Sequence, residues 1–247
     1  MRTVAILLLL VAILILTEFL FSSKDSMALF RNVQFTTSDG VKIVGNYYPV
    51  KNSSQVVLML HMMPATKESW DRLAQELQKK DISSLAIDLR GHGESVNQGD
   101  KHLNYQDFTH EEHQASRRDV EAALGWLKNE TGLGLDHMSV IGASIGANLA
   151  LQALAQYPEI KRGVALSPGL NYRGIEPKPL VSKLVKGQAV LYATSKDDED
   201  NALMTEELFN ATSSKKEWKV YDTAGHGTMM LERISDLSPS IIEFLIK

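Results

Sequence analysis

The chain has 247 residues, 44% of them hydrophobic and 23% charged, and a formal net charge of −4 at pH 7. That balance is ordinary for a soluble globular domain, and without a basic cluster it argues against nucleic acid as a partner. The absence of cysteine excludes disulfides, thiolate metal sites, a cysteine nucleophile and a lipid-modified cysteine.

The chain opens with Met1-Arg2-Thr3, an unbroken apolar run from Val4 to Leu16, then Thr17-Glu18 and a second apolar patch from Phe19 to Phe21. One positive charge ahead of such a run has the form of a secretory signal. No small-x-small cleavage site follows, so residues 1–25 read as a signal anchor or inefficiently cleaved signal peptide. The remaining domain, 26–247, is then expected to be exported or membrane-anchored, outside the cytoplasm, with the membrane as a partner through the N-terminal segment.

Beyond the leader, Val33 to Pro49 reads as two strands joined by a turn at Ser38-Asp39-Gly40. Short apolar runs follow from Val56 to Leu60, Ser84 to Asp88, Met138 to Ile141, Gly163 to Leu166, Ala189 to Ala193 and Trp218 to Tyr221. Helical patterns lie between and after them: about Trp70 to Lys80, Glu111 to Asn129, Ile145 to Gln156, Ala202 to Asn210 and Pro239 to Ile246. Strands that are apolar on both faces and alternate with helices predict an α/β domain, a mainly parallel central sheet flanked by helices on both faces. In such sheets the chemistry lies beyond the carboxyl ends of the strands.

Gly142-Ala143-Ser144-Ile145-Gly146 falls where a buried strand hands over to a helix. A serine held there on a sharp turn points its hydroxyl away from the sheet, and the two glycines let strand and helix pass closely. A dinucleotide-binding turn is the competing reading, but Ser144 stands where its middle glycine must let a pyrophosphate approach, and no Gly-Lys-Ser/Thr occurs. Serine needs a base to take its proton and a third group to orient that base. His226, between Gly225 and Gly227, follows the last strand. The loop after the preceding strand, Thr194-Ser195-Lys196-Asp197-Asp198-Glu199-Asp200, supplies candidate acids. Nucleophile, acid and base occur in that chain order.

With these residues and Asp88-Leu89-Arg90-Gly91-His92-Gly93-Glu94-Ser95, the chain resembles the α/β-hydrolase superfamily over nearly everything after about residue 33. The resemblance implies the α/β-hydrolase fold. Its G-x-x-D pattern, laid on Ser195-Lys196-Asp197-Asp198, points to Asp198 as the acid, with Asp197 as fallback and Asp200 as a solvated loop charge. The oxyanion hole requires two backbone N–H groups. One is expected from Ile145 and the other, by resemblance, from Met63, in a His61-Met62-Met63-Pro64 turn where the family usually has His-Gly-x. Pro64 has no N–H to offer. His92 is expected to fix its own loop, and His110 and His113 lack the i, i+4 spacing of a zinc helix.

These readings predict a serine hydrolase cleaving carboxylic esters of small to medium acyl groups through an acyl-enzyme on Ser144, with no cofactor and no metal. The stretch between Leu166 and Ala189 is too short for a separate cap domain, so an open site is expected, with His61, Met62 and Tyr172 as substrate-binding residues. Two alternatives stand: a peptidase or amidase of the same fold, and a non-catalytic, membrane-tethered binding protein.

Overall fold

The computed structural model describes residues 29–247, and the leader read over residues 1–25 lies outside them. Among the described residues, no helix is long and apolar enough to cross a membrane. The body from Arg31 to Lys247 forms one compact unit.

The hairpin expected from Val33 to Pro49 forms as β1 (Arg31–Thr36) and β2 (Val41–Tyr48), paired antiparallel from Arg31 with Tyr47 to Thr36 with Lys42. Its turn is closed by the Thr37 hydroxyl, which accepts the Val41 N–H at 2.9 Å. The parallel strands follow: β3 (Val56–Leu60) and β4 (Ser83–Ile87), every residue of both buried. After the two-residue strands β5 (Asn97–Gln98) and β6 (Lys101–His102) come β7 (Met138–Ala143), β8 (Arg162–Leu166), β9 (Ala189–Ser195) and β10 (Lys215–Tyr221). Among the described residues these strands form one sheet in the order β10-β9-β8-β7-β3-β4-β2-β5-β6, with β1 on β2. Pairing is parallel from β4 through β3, β7, β8 and β9 to β10.

The larger helices are α1 (Asp71–Gln78), α2 (Arg117–Thr131), α3 (Ile145–Gln156), α4 (Glu199–Ala211) and α5 (Leu237–Ile246). Alternate residues of β3 point to opposite faces of the sheet. Leu58 and Leu60 join Leu124, Leu127, Leu149, Leu154 and Leu208 of α2, α3 and α4. Val57 and Met59 join Leu73, Leu77, Ile241 and Phe244 of α1 and α5. Burial on both sides is why the interior strands read as continuous apolar runs, each fully buried large side chain contributing about 1.5–3 kcal/mol.

Three elements differ from the sequence expectation. The helix expected from Glu111 to Asn129 is broken into His110–Gln114 and α2, with i→i−3 bonds from Ser116 N–H to His113 and from Arg118 N–H to Ala115 across the junction. Those tighter bonds barely disturb the hydrophobic period, so the pattern runs through the break. Strand β10 begins at Lys215 rather than Trp218, because an edge strand carries charged residues that erase the apolar signal. The β5–β6 hairpin is too short and polar to show in a pattern. Between β8 and β9, the structure has a bridge between Tyr172 and Ile175 and the single-turn helix Lys178–Val181 in place of a cap.

Candidate active site

β7 ends at Ala143 and α3 begins at Ile145, which leaves Ser144 alone at the corner with φ +53° and ψ −119°. A non-glycine residue held there costs on the order of 1–3 kcal/mol and persists only where its neighbours fix it. Here the Ser144 N–H donates to Leu166 O at 2.8 Å, and its carbonyl accepts the Ala147 and Asn148 N–H groups at 2.9 and 3.1 Å. The flanking glycines are steric requirements: a Cβ on Gly146 would lie 2.3 Å from Leu60 O, and one on Gly142 would lie 1.9 Å from Gly146 O. The Ile145 N–H, first in α3, has no carbonyl partner within the helix, and the positive end of the helix dipole lies beside it.

The adjacent aspartates after β9 do different things. Asp198 Oδ2 lies 2.5 Å from His226 Nδ1. With a carboxylate accepting at Nδ1, the ring keeps its proton there and Nε2 is left for proton transfer. Asp197 instead holds the backbone of the histidine loop, its Oδ1 accepting the Gly225 and Ala224 N–H groups at 3.0 and 3.2 Å as well as the Ser195 hydroxyl. That Ser195 hydrogen bond, followed by the Gly225 N–H, keeps the Asp197 carboxyl below its ordinary pKa. Ser195 Oγ also accepts the Ala224 N–H at 2.7 Å, and Ser167 Oγ accepts the Gly227 N–H at 2.9 Å. The histidine loop is thereby pinned on both sides of His226 by residues that end β8 and β9. Asp200 is exposed on the first turn of α4.

The loop after β8 brings Tyr172 to the serine. Asn148 is fully buried four residues past Ser144. Its amide donates to Gly169 O and Ile175 O, both at 2.9 Å, and accepts the Gly169 N–H at 3.0 Å, so both ends of the loop are fixed. The Tyr172 hydroxyl accepts a hydrogen bond from Asn201 Nδ2 at 2.9 Å and lies 3.5 Å from Ser167 O. Its ring stands edge-on to the His226 ring at 6.5 Å. Sequence reasoning gave Tyr172 only as a substrate-lining residue and missed Asn148, Asn201 and Ser167. One signal was available, because Asn148 is a lone amide in the otherwise apolar Ala147-Asn148-Leu149-Ala150 run, and a buried amide must find partners.

On the other side of Ser144, the turn after β3 departs from expectation at His61. The ring is fully buried, donating from Nδ1 to Met62 O at 2.8 Å and accepting the Leu89 N–H at Nε2 at 2.9 Å, so it braces the turn and does not line the substrate space. Met62 is half-buried against Gly227, where a Cβ would lie 2.6 Å from its Sδ. It takes no positive φ, so methionine in the place of glycine imposes no left-handed strain. Met63 is likewise half-buried. The Asp88–Ser95 segment supports this turn from behind. Buried Asp88 accepts the Lys67 N–H and ammonium, both at 2.8 Å, and the Glu94 N–H at 2.9 Å. Arg90 reaches Asp119 at 2.7 Å and Asp39 at 2.8 Å, tying the segment to α2 and to the β1–β2 turn.

His92 packs against His61 at 4.9 Å and stacks on Tyr105 at 3.8 Å. Burial pushes both His61 and His92 down to about 4. Because the unfolded chain takes up these protons near pH 6.5 and the folded chain resists until about 4, their contribution is complete above pH 6.5 and is lost as pH falls through that window, roughly 3 kcal/mol per histidine at most. Thermal melts should therefore show Tm falling between pH 7 and pH 4.5, and His92→Gln should flatten the slope. An unchanged slope in that variant would remove His92 from the explanation.

Ser144, Asp198 and His226 thus follow three strands of a mainly parallel sheet, at their carboxyl ends. Residues 55–203 match the alpha/beta hydrolase fold family, and the chain belongs to it. It is similar to the uncharacterized protein YnbC of Escherichia coli, 27% identical over 135 residues that make up 54% of this chain and 22% of that protein's length. The uncharacterized protein Rv2307c of Mycobacterium tuberculosis is 24% identical over 238 residues, 86% of this chain and 80% of its own. Among solved structures, the Pyrococcus furiosus esterase Pf2001 superposes with a TM-score of 0.72 at 22% identity, covering 88% of this chain and 91% of that one, a likeness of fold.

Proposed function

We propose that this protein is a serine hydrolase that cleaves carboxylic esters of small to medium acyl groups through an acyl-enzyme on Ser144. The observation that carries the proposal is the hydrogen-bonded Asp198–His226 pair on the same edge of the sheet as a strained, glycine-flanked serine. His226 takes the Ser144 proton as Oγ attacks the ester carbonyl. The Ile145 and Met63 N–H groups hold the developing oxyanion, His226 returns the proton to the departing alcohol, and water repeats the cycle on the acyl-enzyme. Asp198 orients the imidazole throughout. On the usual scale, proton transfer supplies about 10²–10⁴ in rate and each oxyanion donor about 10²–10³.

Substrate size follows from what surrounds the serine. The short β8–β9 connection leaves the mouth uncapped, and Met62, Met63 and Leu170 are half-buried apolar side chains in the turns beside it, which suits a short acyl chain over a long one. The esterase name of the Pyrococcus furiosus structure supports the choice of bond. A panel of p-nitrophenyl esters from acetate to dodecanoate, run beside aminoacyl anilides, tests the reading. Turnover is expected to peak at short to medium esters and to be weak on anilides. An anilide preference would favour the peptidase reading, and no turnover of either would favour a binding protein.

A further inference from the structure

Tyr172 carries more than a lining residue needs. Its ring lies so close beneath Gly169 that a Cβ there would sit 2.6 Å from a ring carbon. Asn201 is fixed in turn: its amide nitrogen donates to Pro168 O at 2.8 Å, and its amide oxygen accepts the Thr194 and Thr205 hydroxyls at 3.1 and 3.3 Å. An amide nitrogen can only donate, so the Tyr172 oxygen accepts from Asn201 and its own proton is turned elsewhere. The acceptor it has is Ser167 O at 3.5 Å, a long and weak O–H···O contact that a closer oxygen beside His226 would displace. Burial raises the Tyr172 pKa above that of an ordinary phenol, so the group stays a protonated donor through neutral and mildly alkaline pH.

The sheet order decides which side of the nucleophile this donor occupies. Running β10-β9-β8-β7-β3, it roots the loops of His226, Asp198 and Tyr172 on one side of β7 and the Met62–Met63 turn on the other, with Met62 reaching across to Gly227 beside His226. The oxyanion is held at the turn and the helix start. The leaving group departs towards the histidine that protonates it, which is the side of Tyr172.

We propose that the Tyr172 hydroxyl hydrogen-bonds to the leaving-group oxygen while Ser144 is acylated, a role that rests on the serine-esterase reading above. The balance is simple. The Ser144 proton passes to His226 and then to the leaving oxygen as its bond to the carbonyl carbon breaks. Tyr172 keeps its own proton and lowers the cost of the negative charge that develops on that oxygen. Such help matters little for a stabilised phenolate and greatly for an alkoxide. The substrate class that fits is therefore esters of unactivated alcohols, with Tyr172 a catalytic residue selective for basic leaving groups.

The test is the leaving-group dependence of kcat/KM, which reports acylation, for Tyr172→Phe against the wild-type full-length chain on acetate esters of p-nitrophenol, phenol and short alkyl alcohols. Phenylalanine keeps the ring against Gly169, and fluorophosphonate labelling of Ser144 shows that the variant remains assembled. The loss is expected to grow from a few-fold with p-nitrophenyl acetate to about 10²-fold with an alkyl acetate. Asn201→Ala, which frees the phenol to rotate, should show the same trend with a smaller slope. An equal loss on every ester, or none on any, would overturn the proposal while leaving the esterase reading intact. That reading fails separately, if wild type and Ser144→Ala hydrolyse the esters equally well.

Discussion

Ser144→Ala is expected to lower ester turnover by about 10⁴–10⁶-fold with little change in Tm. The size of the loss follows from Ser144, His226 and Asp198 acting as a unit, in which removing the nucleophile makes the base and its orienter useless. The double variant Ser144→Ala/His226→Ala should accordingly be no slower than the single one. Stability should hardly move, because alanine meets the same positive φ, and the backbone bonds to Leu166, Ala147 and Asn148 do not involve the hydroxyl. Steady-state kinetics with a short p-nitrophenyl ester, paired with thermal melts, measures both. Retention of more than a tenth of wild-type activity would exclude Ser144 as the nucleophile.

The second large effect separates two neighbours. Asp198→Asn should cost about 10⁴-fold in kcat, because an amide facing Nδ1 favours the wrong imidazole tautomer and cannot balance the imidazolium that forms. Asp197→Asn should cost less than about tenfold in kcat, since the amide oxygen can still accept from Gly225 and Ala224, and should lower Tm slightly through weakened bonds to the histidine loop. Parallel measurement of kcat and Tm for the two variants checks the assignment. The opposite ranking in kcat would make Asp197 the acid.

That choice shows where sequence reading reaches its limit. Adjacent aspartates are indistinguishable by type and loop position, and only the fold reveals that Asp198 faces the imidazole while Asp197 faces the backbone. Gly142, Ser144 and Gly146 were legible because their spacing encodes a steric exclusion within one short corner. The interior strands β3, β4, β7, β8 and β9 were legible because burial on both faces demands continuous apolar runs. The charged start of edge strand β10, Lys215 to Glu217, and the β5–β6 hairpin were not, since neither has two covered faces.

The supporting polar residues were hidden for a different reason. Ser167 bonds to Gly227, sixty positions away, and Asn201 bonds to Pro168 and Tyr172, so their partners are brought together by the sheet and carry no local spacing. His61 shows the converse. Its place at the head of the turn after β3 invited a substrate role, whereas Leu89 and Met62 occupy both ring nitrogens.

Covalent capture of the nucleophile is the most direct measurement. A fluorophosphonate probe should label the wild-type protein once, with peptide mass mapping placing the adduct on Ser144. Asp198→Asn should label far more slowly and Ser144→Ala not at all. An adduct on another serine, such as Ser167 or Ser195 beside the histidine loop, or no adduct on the folded protein, would contradict an acyl-enzyme at Ser144.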